Sequence, residues 1–123
     1  MDGGLLDGTI GLKDLQSAAY HWEEYPFLEP ATIEGVRFAH YFTTGVKNLP
    51  VGGAHQAATL LAKEHTSCVM GHTHTRDSAV QHAGEKFIQG LVVGCFQDYD
   101  AEWAGPANEK WNRGVYVLRS IED

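Results

Sequence analysis

The sequence predicts an α/β domain, a mixed sheet with flanking helices. Helical periodicity is clear over Ala54 to Glu64 and present again over Leu12 to Tyr20. Short apolar runs, bounded by glycine-containing turns, read as strands between and after those helices. A length of 123 residues fits one domain, residues 1–123. At 43% hydrophobic residues the chain has material for a core, and a chain of this size buries roughly two-thirds of its unfolded surface.

Taken in order, residues 1–10 are glycine-rich and read as irregular. Leu12, Leu15, Ala18 and Ala19 recur at helical spacing, which predicts a short helix ending near Tyr20. Pro26 and Pro30 then hold an extended connector, because each biases its preceding residue away from helix. Thr32 to His40 reads as a hairpin turning at Glu34-Gly35, with Val36 to Ala39 delivering His40 at its end. A loop is expected from Thr43 to Gly53. The helix after it has an apolar face of Ala57, Ala58, Leu60, Leu61 and Ala62. His65 falls at its end, where the helix dipole alone accounts for it. Thr66 to Met70 reads as a buried central strand. Ser78 to His82 and Lys86 to Cys95 read as an antiparallel pair joined at Ala83-Gly84-Glu85. Phe96 to Asn112 is expected to be a long aromatic loop, and Gly114 to Ile121 a closing strand.

Charge and composition narrow the function classes. A formal net charge of −7 argues against an extended nucleic-acid surface, which needs clustered Lys and Arg. It leaves open a phosphate ester held at a metal, where the cation supplies the positive charge. No run of about 20 apolar residues is present, so no membrane-spanning helix is expected. The first residues lack the basic region and apolar core of a signal peptide. Cys68 and Cys95 lie in apolar runs and read as free thiols in a reducing, cytoplasmic setting.

The most chemically specific stretch is Gly71-His72-Thr73-His74, directly after the central strand. Ligands in α/β folds gather outside the carboxyl ends of strands. Gly71 is expected to let the backbone turn sharply there. Neutral imidazole is the commonest side-chain metal ligand. His40 ends another predicted strand. If the two strands are parallel neighbours, His40, His72 and His74 meet at one sheet edge, a donor set suited to Zn, Mn, Fe or Ni.

Gly71-His72-Thr73-His74 resembles the last motif of the calcineurin-like metallophosphoesterases. A strand-end histidine followed by a helix and another strand, as at His40, resembles the motif before it. The likeness runs over about Ile33 to Cys95, and this chain is similar to the second half of that family's two-sheet sandwich. It implies a dinuclear metal site, with His40 and His72 on one ion and His74 contributing to the other. It also implies hydrolysis of phosphate mono- or diesters. The chain carries Tyr41 where the family usually has glycine after the histidine. It contains no Asp-x-His, Gly-Asp or Asn-His, the pairs that mark the family's earlier motifs.

That absence has a chemical consequence. Two-metal hydrolysis needs cations about 3.5–4 Å apart, a bridging carboxylate and an activated hydroxide. Three neutral histidines offer no bridge and do not balance two divalent charges. The chain alone is therefore expected to bind one metal weakly and to be inactive or nearly so, its catalytic residues unidentified. Asp77, Asp98, Asp100 and Glu102 are alternative carboxylates, though solvated loop acids is the plainer reading. Arg76 is a candidate phosphate contact. His21, His55 and His82 read as structural. Trp103 and Trp111 either line a substrate surface or cover the core. A second reading makes the chain a truncated, non-catalytic relative that self-associates or binds a partner supplying the missing half. Exposed sheet edges and an uncovered apolar face would drive that association.

Overall fold

The computed structural model describes residues 11–119; the glycine-rich residues 1–10 and the end of the expected last strand lie outside the described residues. Among the described residues, seven strands and one α-helix follow one another. β1 (Ala31–Ile33) and β2 (Val36–Ala39) form the expected hairpin, turning at Glu34 (φ 49°) and Gly35 (φ 79°). β3 (Thr43–Thr44) and β4 (Leu49–Pro50) make a small antiparallel ribbon inside the expected loop. Helix α1 (Gln56–Glu64) and strand β5 (Cys68–Met70) follow. β6 (Asp77–Ala83) and β7 (Lys86–Val92) close the sheet as an antiparallel hairpin.

The five-stranded sheet has the order β1-β2-β5-β7-β6. β2, β5 and β7 run parallel, and antiparallel β1 and β6 sit at the edges, so the sheet is mixed as expected. Parallel neighbours require a crossover, and the β3-β4 ribbon and α1 supply it between β2 and β5. The crossover is buried at both ends: Phe42 and Val51 join Leu60, Leu61, Cys68, Met70 and Val92 in the core.

Helix α1 buries Ala57, Leu60 and Leu61 against one face of the sheet. Gly90 of β7 explains the close approach. A Cβ at that position would lie 2.9 Å from the Ala57 carbonyl oxygen and 3.1 Å from Leu61 Cγ. At the helix end, Glu64 pairs with Arg37 of β2, whose guanidinium also lies 5.6 Å from the Phe42 ring centre. His65 ends the helix in the left-handed conformation (φ 54°), its N–H donating to the Leu61 carbonyl.

Among the described residues, no α-helix lies on the opposite face. Side chains alternate along a strand, and paired residues share a face. The registers place Ala31, Ile33, Val36 and Phe38 there from β1 and β2, and Val69 from β5. They add Phe87, Gln89 and Leu91 from β7, and Ser78, Val80 and His82 from β6. Not one of these is Lys, Arg, Asp or Glu. Val80 and Phe87 are 60% and 62% exposed, a burial state unlike that of Met70 or Val92 on the helix face.

Three elements differ from the sequence expectation. Leu12 to Tyr20 is not an α-helix but two 3-10 turns, Leu12–Leu15 and Ser17–Tyr20, divided at Gln16 (φ 52°). The second turn buries no residue, and a helix this short needs tertiary packing to persist. The loop after β7 contains two 3-10 turns over Glu102–Lys110, broken at Gly105 (φ 53°). Buried Asn108 organises them, accepting from the Ala101 N–H and donating to the Ala101 and Gly105 carbonyls. Residues 114–119 form no strand; just before them Arg113 makes an isolated parallel bridge with Cys95, and the Gly114 N–H donates to the Cys95 carbonyl at 3.0 Å.

Candidate functional site

The site grows out of the β2–β5 pairing. Phe38 faces Val69 and Ala39 faces Met70 in the parallel register. The ladder continues one step past the strands, where the Gly71 N–H donates to the His40 carbonyl at 3.0 Å. Both chains therefore leave the sheet side by side, His40 on one and His72 on the other. His40 Nε2 and His72 Nδ1 are 3.0 Å apart, a hydrogen bond in which one ring carries the proton.

The sharp turn is not at Gly71, which has no left-handed φ. It is at the histidines themselves, His72 with φ 72° and His74 with φ 62°. Non-glycine residues hold this conformation only where their surroundings over-determine it, and such residues cluster at functional sites. The surroundings are visible. Tyr41 lies with its ring centre 4.8 Å from that of His72 and 5.8 Å from that of His40. The Phe27 ring lies 6.4 Å from that of His40 and meets Tyr41 edge-on at 6.2 Å between centres. The residue that replaces the expected glycine is thus part of the wall around the pair.

His72 has its pKa lowered, first by partial burial and then by repulsion from His40 and His74. A ring held neutral keeps a lone pair free for a cation or a proton. His74 turns elsewhere. Its ring meets Trp111 edge-on at 4.3 Å between centres, and Trp111 lies 5.7 Å from Trp103. Among the described residues, His74 Nδ1 is buried and has no hydrogen-bond partner. Such an atom is uncommon, because burying a polar group unpaired is costly. The structure brings His40 and His72 together and leaves His74 beside them with an open nitrogen. Among the described residues no three His, Cys, Asp or Glu side chains are grouped to hold one ion.

The Trp111 wall is held by backbone. The Asn112 N–H donates to the His74 carbonyl, and the Asn112 carbonyl accepts from Cys95 N–H, both at 2.8 Å. Gly94 makes room for this crossing: a Cβ there would sit 1.7 Å from the Asn112 carbonyl oxygen.

The other candidates have other contacts or are exposed. Arg76 lies over the Tyr116 ring, its Cζ 5.9 Å from the ring centre. Asp77 is neither a solvated loop acid nor a ligand. Its carboxylate accepts from the Ala57 N–H at 2.9 Å and the Ser78 N–H at 3.0 Å, capping α1 from across the fold. Asp100 pairs with Arg113 at 2.7 Å. Asp98 and Glu102 are exposed. His21 and His55 flank helical turns, and His82 stacks near Phe87 on β6 and β7. Trp103 is 81% exposed and covers no core, whereas Trp111 reaches the site.

Sequence reasoning missed the residues behind the turn. Thr73 and Thr75 alternate with the histidines, and their hydroxyls meet the side chain of Gln56 at the start of α1. The signal was present as a His-Thr-His-Thr run and a glutamine at a helix start, but their meeting is a tertiary fact. Imidazole is a donor that borderline divalent cations take, and here two are in contact while among the described residues no third donor is grouped with them. Without a carboxylate they do not fit a pair of such ions. No protein-family model, curated protein or solved structure matches the chain.

Proposed function

We propose that this chain is the C-terminal part of a metal-dependent phosphoesterase of the calcineurin-like kind, hydrolysing phosphate mono- or diesters at a dinuclear site. In this reading the chain supplies the histidine wall and is inactive or nearly so without the carboxylate wall. The observation that carries it is the His40–His72 contact, 3.0 Å, at the carboxyl ends of two adjacent parallel strands. His40 and His72 would hold one ion, and His74, with its unpartnered Nδ1, would contribute to the other. The metal in such a site polarises the phosphoryl oxygen and supplies a hydroxide nucleophile near neutral pH. The chain's own residues would hold the donors in place: Tyr41 and Phe27 pack around His40, Tyr41 also meets His72, and Trp111 meets His74 edge-on. Arg76, whose guanidinium lies over the Tyr116 ring, would be the phosphate contact.

The open sheet face supports the half-domain part of the reading. A charge-free apolar face is what a sheet presents to a second layer. The same observation favours the second reading, a non-catalytic relative that uses this face and the edge strands β1 and β6 to self-associate or bind a partner.

The test incubates the purified chain with manganese and a chromogenic phosphodiester, and measures retained metal after gel filtration. A single retained ion, lost in His72→Ala, and turnover at the blank rate are expected. Turnover that His72→Ala abolishes would defeat the incomplete-site claim. Failure to retain any divalent ion would remove the ligand assignment and leave the binding-protein reading.

A further inference from the structure

The strained turn that carries His72 and His74 needs something to hold it, and the three side chains behind it form a closed ring. Thr73 Oγ1 donates to Gln56 Oε1 at 2.8 Å. Gln56 Nε2 donates to Thr75 Oγ1 at 2.8 Å and to the Gly53 carbonyl at 3.1 Å. The two threonine hydroxyls lie 3.1 Å apart. Gln56 is only 5% exposed, so its amide must find partners inside the protein, and this ring supplies all that it needs. Gln56 itself is fixed as the first residue of α1, whose next N–H is held by Asp77. The helix is in turn seated on Gly90.

We infer that Gln56 is the positioning residue of the histidine turn: through Thr73 and Thr75 it registers the turn on the start of α1 and so sets His72 against His40. The alternation His-Thr-His-Thr then has a division of labour, with the histidines at the site and the hydroxyls on the scaffold. The turn is locked in the left-handed conformation by a ring of neutral hydrogen bonds rather than by a glycine. The inference reaches the chemistry only through the metal reading above. The positioning itself stands without it.

The test pairs Thr73→Val, which keeps the shape and removes the hydroxyl, with Thr73→Ser, which keeps the hydroxyl. In the metal-free protein, nuclear Overhauser contacts between the His40 and His72 rings report the geometry. Titration with zinc reports affinity. Thr73→Val is expected to lose the ring contacts while amide signals of β6 and β7 stay in place. It is also expected to weaken zinc binding by about tenfold or more, the usual range for a group that orients a ligand. Thr73→Ser is expected to retain both. Intact ring contacts in Thr73→Val, or equal loss in Thr73→Ser, would overturn the inference. If wild type binds no zinc but Thr73→Val still loses the ring contacts, the positioning role holds and the metal reading fails. Should Thr73→Val not fold, the pair Thr75→Val and Thr75→Ser carries the same outcomes.

Discussion

The two faces of the sheet are made by the same five strands and have opposite environments. One face takes α1, with Leu60, Leu61, Cys68, Met70 and Val92 fully or almost fully buried. The other carries Phe38, Val69, Leu91, Val80 and Phe87 with no helix over them and no charged residue among them. The folding energy of the chain therefore resides on the helix face, where apolar area is removed from water. A strand that alternates apolar with polar residues has a solvent face. β1, β2 and β5 are apolar on the open face, whereas β6 and β7 mix Val80, Phe87 and Leu91 with Ser78, Gln89 and His82 there.

The largest effect should come from the helix face. Leu60→Ala removes most of a fully buried side chain and should cost about 2–5 kcal/mol by denaturant unfolding. A loss below 1 kcal/mol would mean that the helix is not what stabilises the sheet. On the open face, Val80→Lys should change the stability of the isolated chain by no more than about 0.5 kcal/mol, because Val80 is already 60% exposed. The same substitution should shift any self-associated form to monomer in sedimentation, since a lysine would be carried into a dry interface. Association that survives Val80→Lys would place the contact elsewhere.

The smallest effect concerns pH. His72 has its pKa lowered in the folded chain, from an ordinary value of 6.5, chiefly by partial burial. Below 6.5 the unfolded chain binds more protons at this residue than the folded one. The stability that neutral His72 contributes is therefore complete above 6.5 and is lost as pH falls through the folded value. The melting temperature should fall from pH 7.5 to pH 5, and His72→Gln should fall less steeply. Equal slopes would show that His72 does not titrate with the fold.

The parts of the fold that were legible in the sequence are those decided within a few residues. The Glu34-Gly35 hairpin, the apolar stripe of α1 and the β6–β7 pair rest on turn chemistry and local periodicity. Leu12 to Tyr20 misled because periodicity states which face a helix would bury, and no partner is there to bury it. The Glu102–Lys110 turns were hidden because Asn108, a residue with no periodic signal, holds them through its side chain. The site divides the same way. His40, His72 and His74 were legible as chemistry, while Gln56, Thr73 and Tyr41 were not, because their roles exist only once separate segments touch.

By itself the sequence determined that this is an α/β chain with a strand-end histidine motif and a formal net charge of −7. Tertiary structure alone decided that His40 meets His72, 32 residues away, and that His74 turns to Trp111 instead. The reason is that parallel pairing of β2 with β5 is non-local. It requires the intervening chain to fold over the sheet, and that depends on a helix finding its seat on Gly90. No periodicity within either strand encodes such a contact.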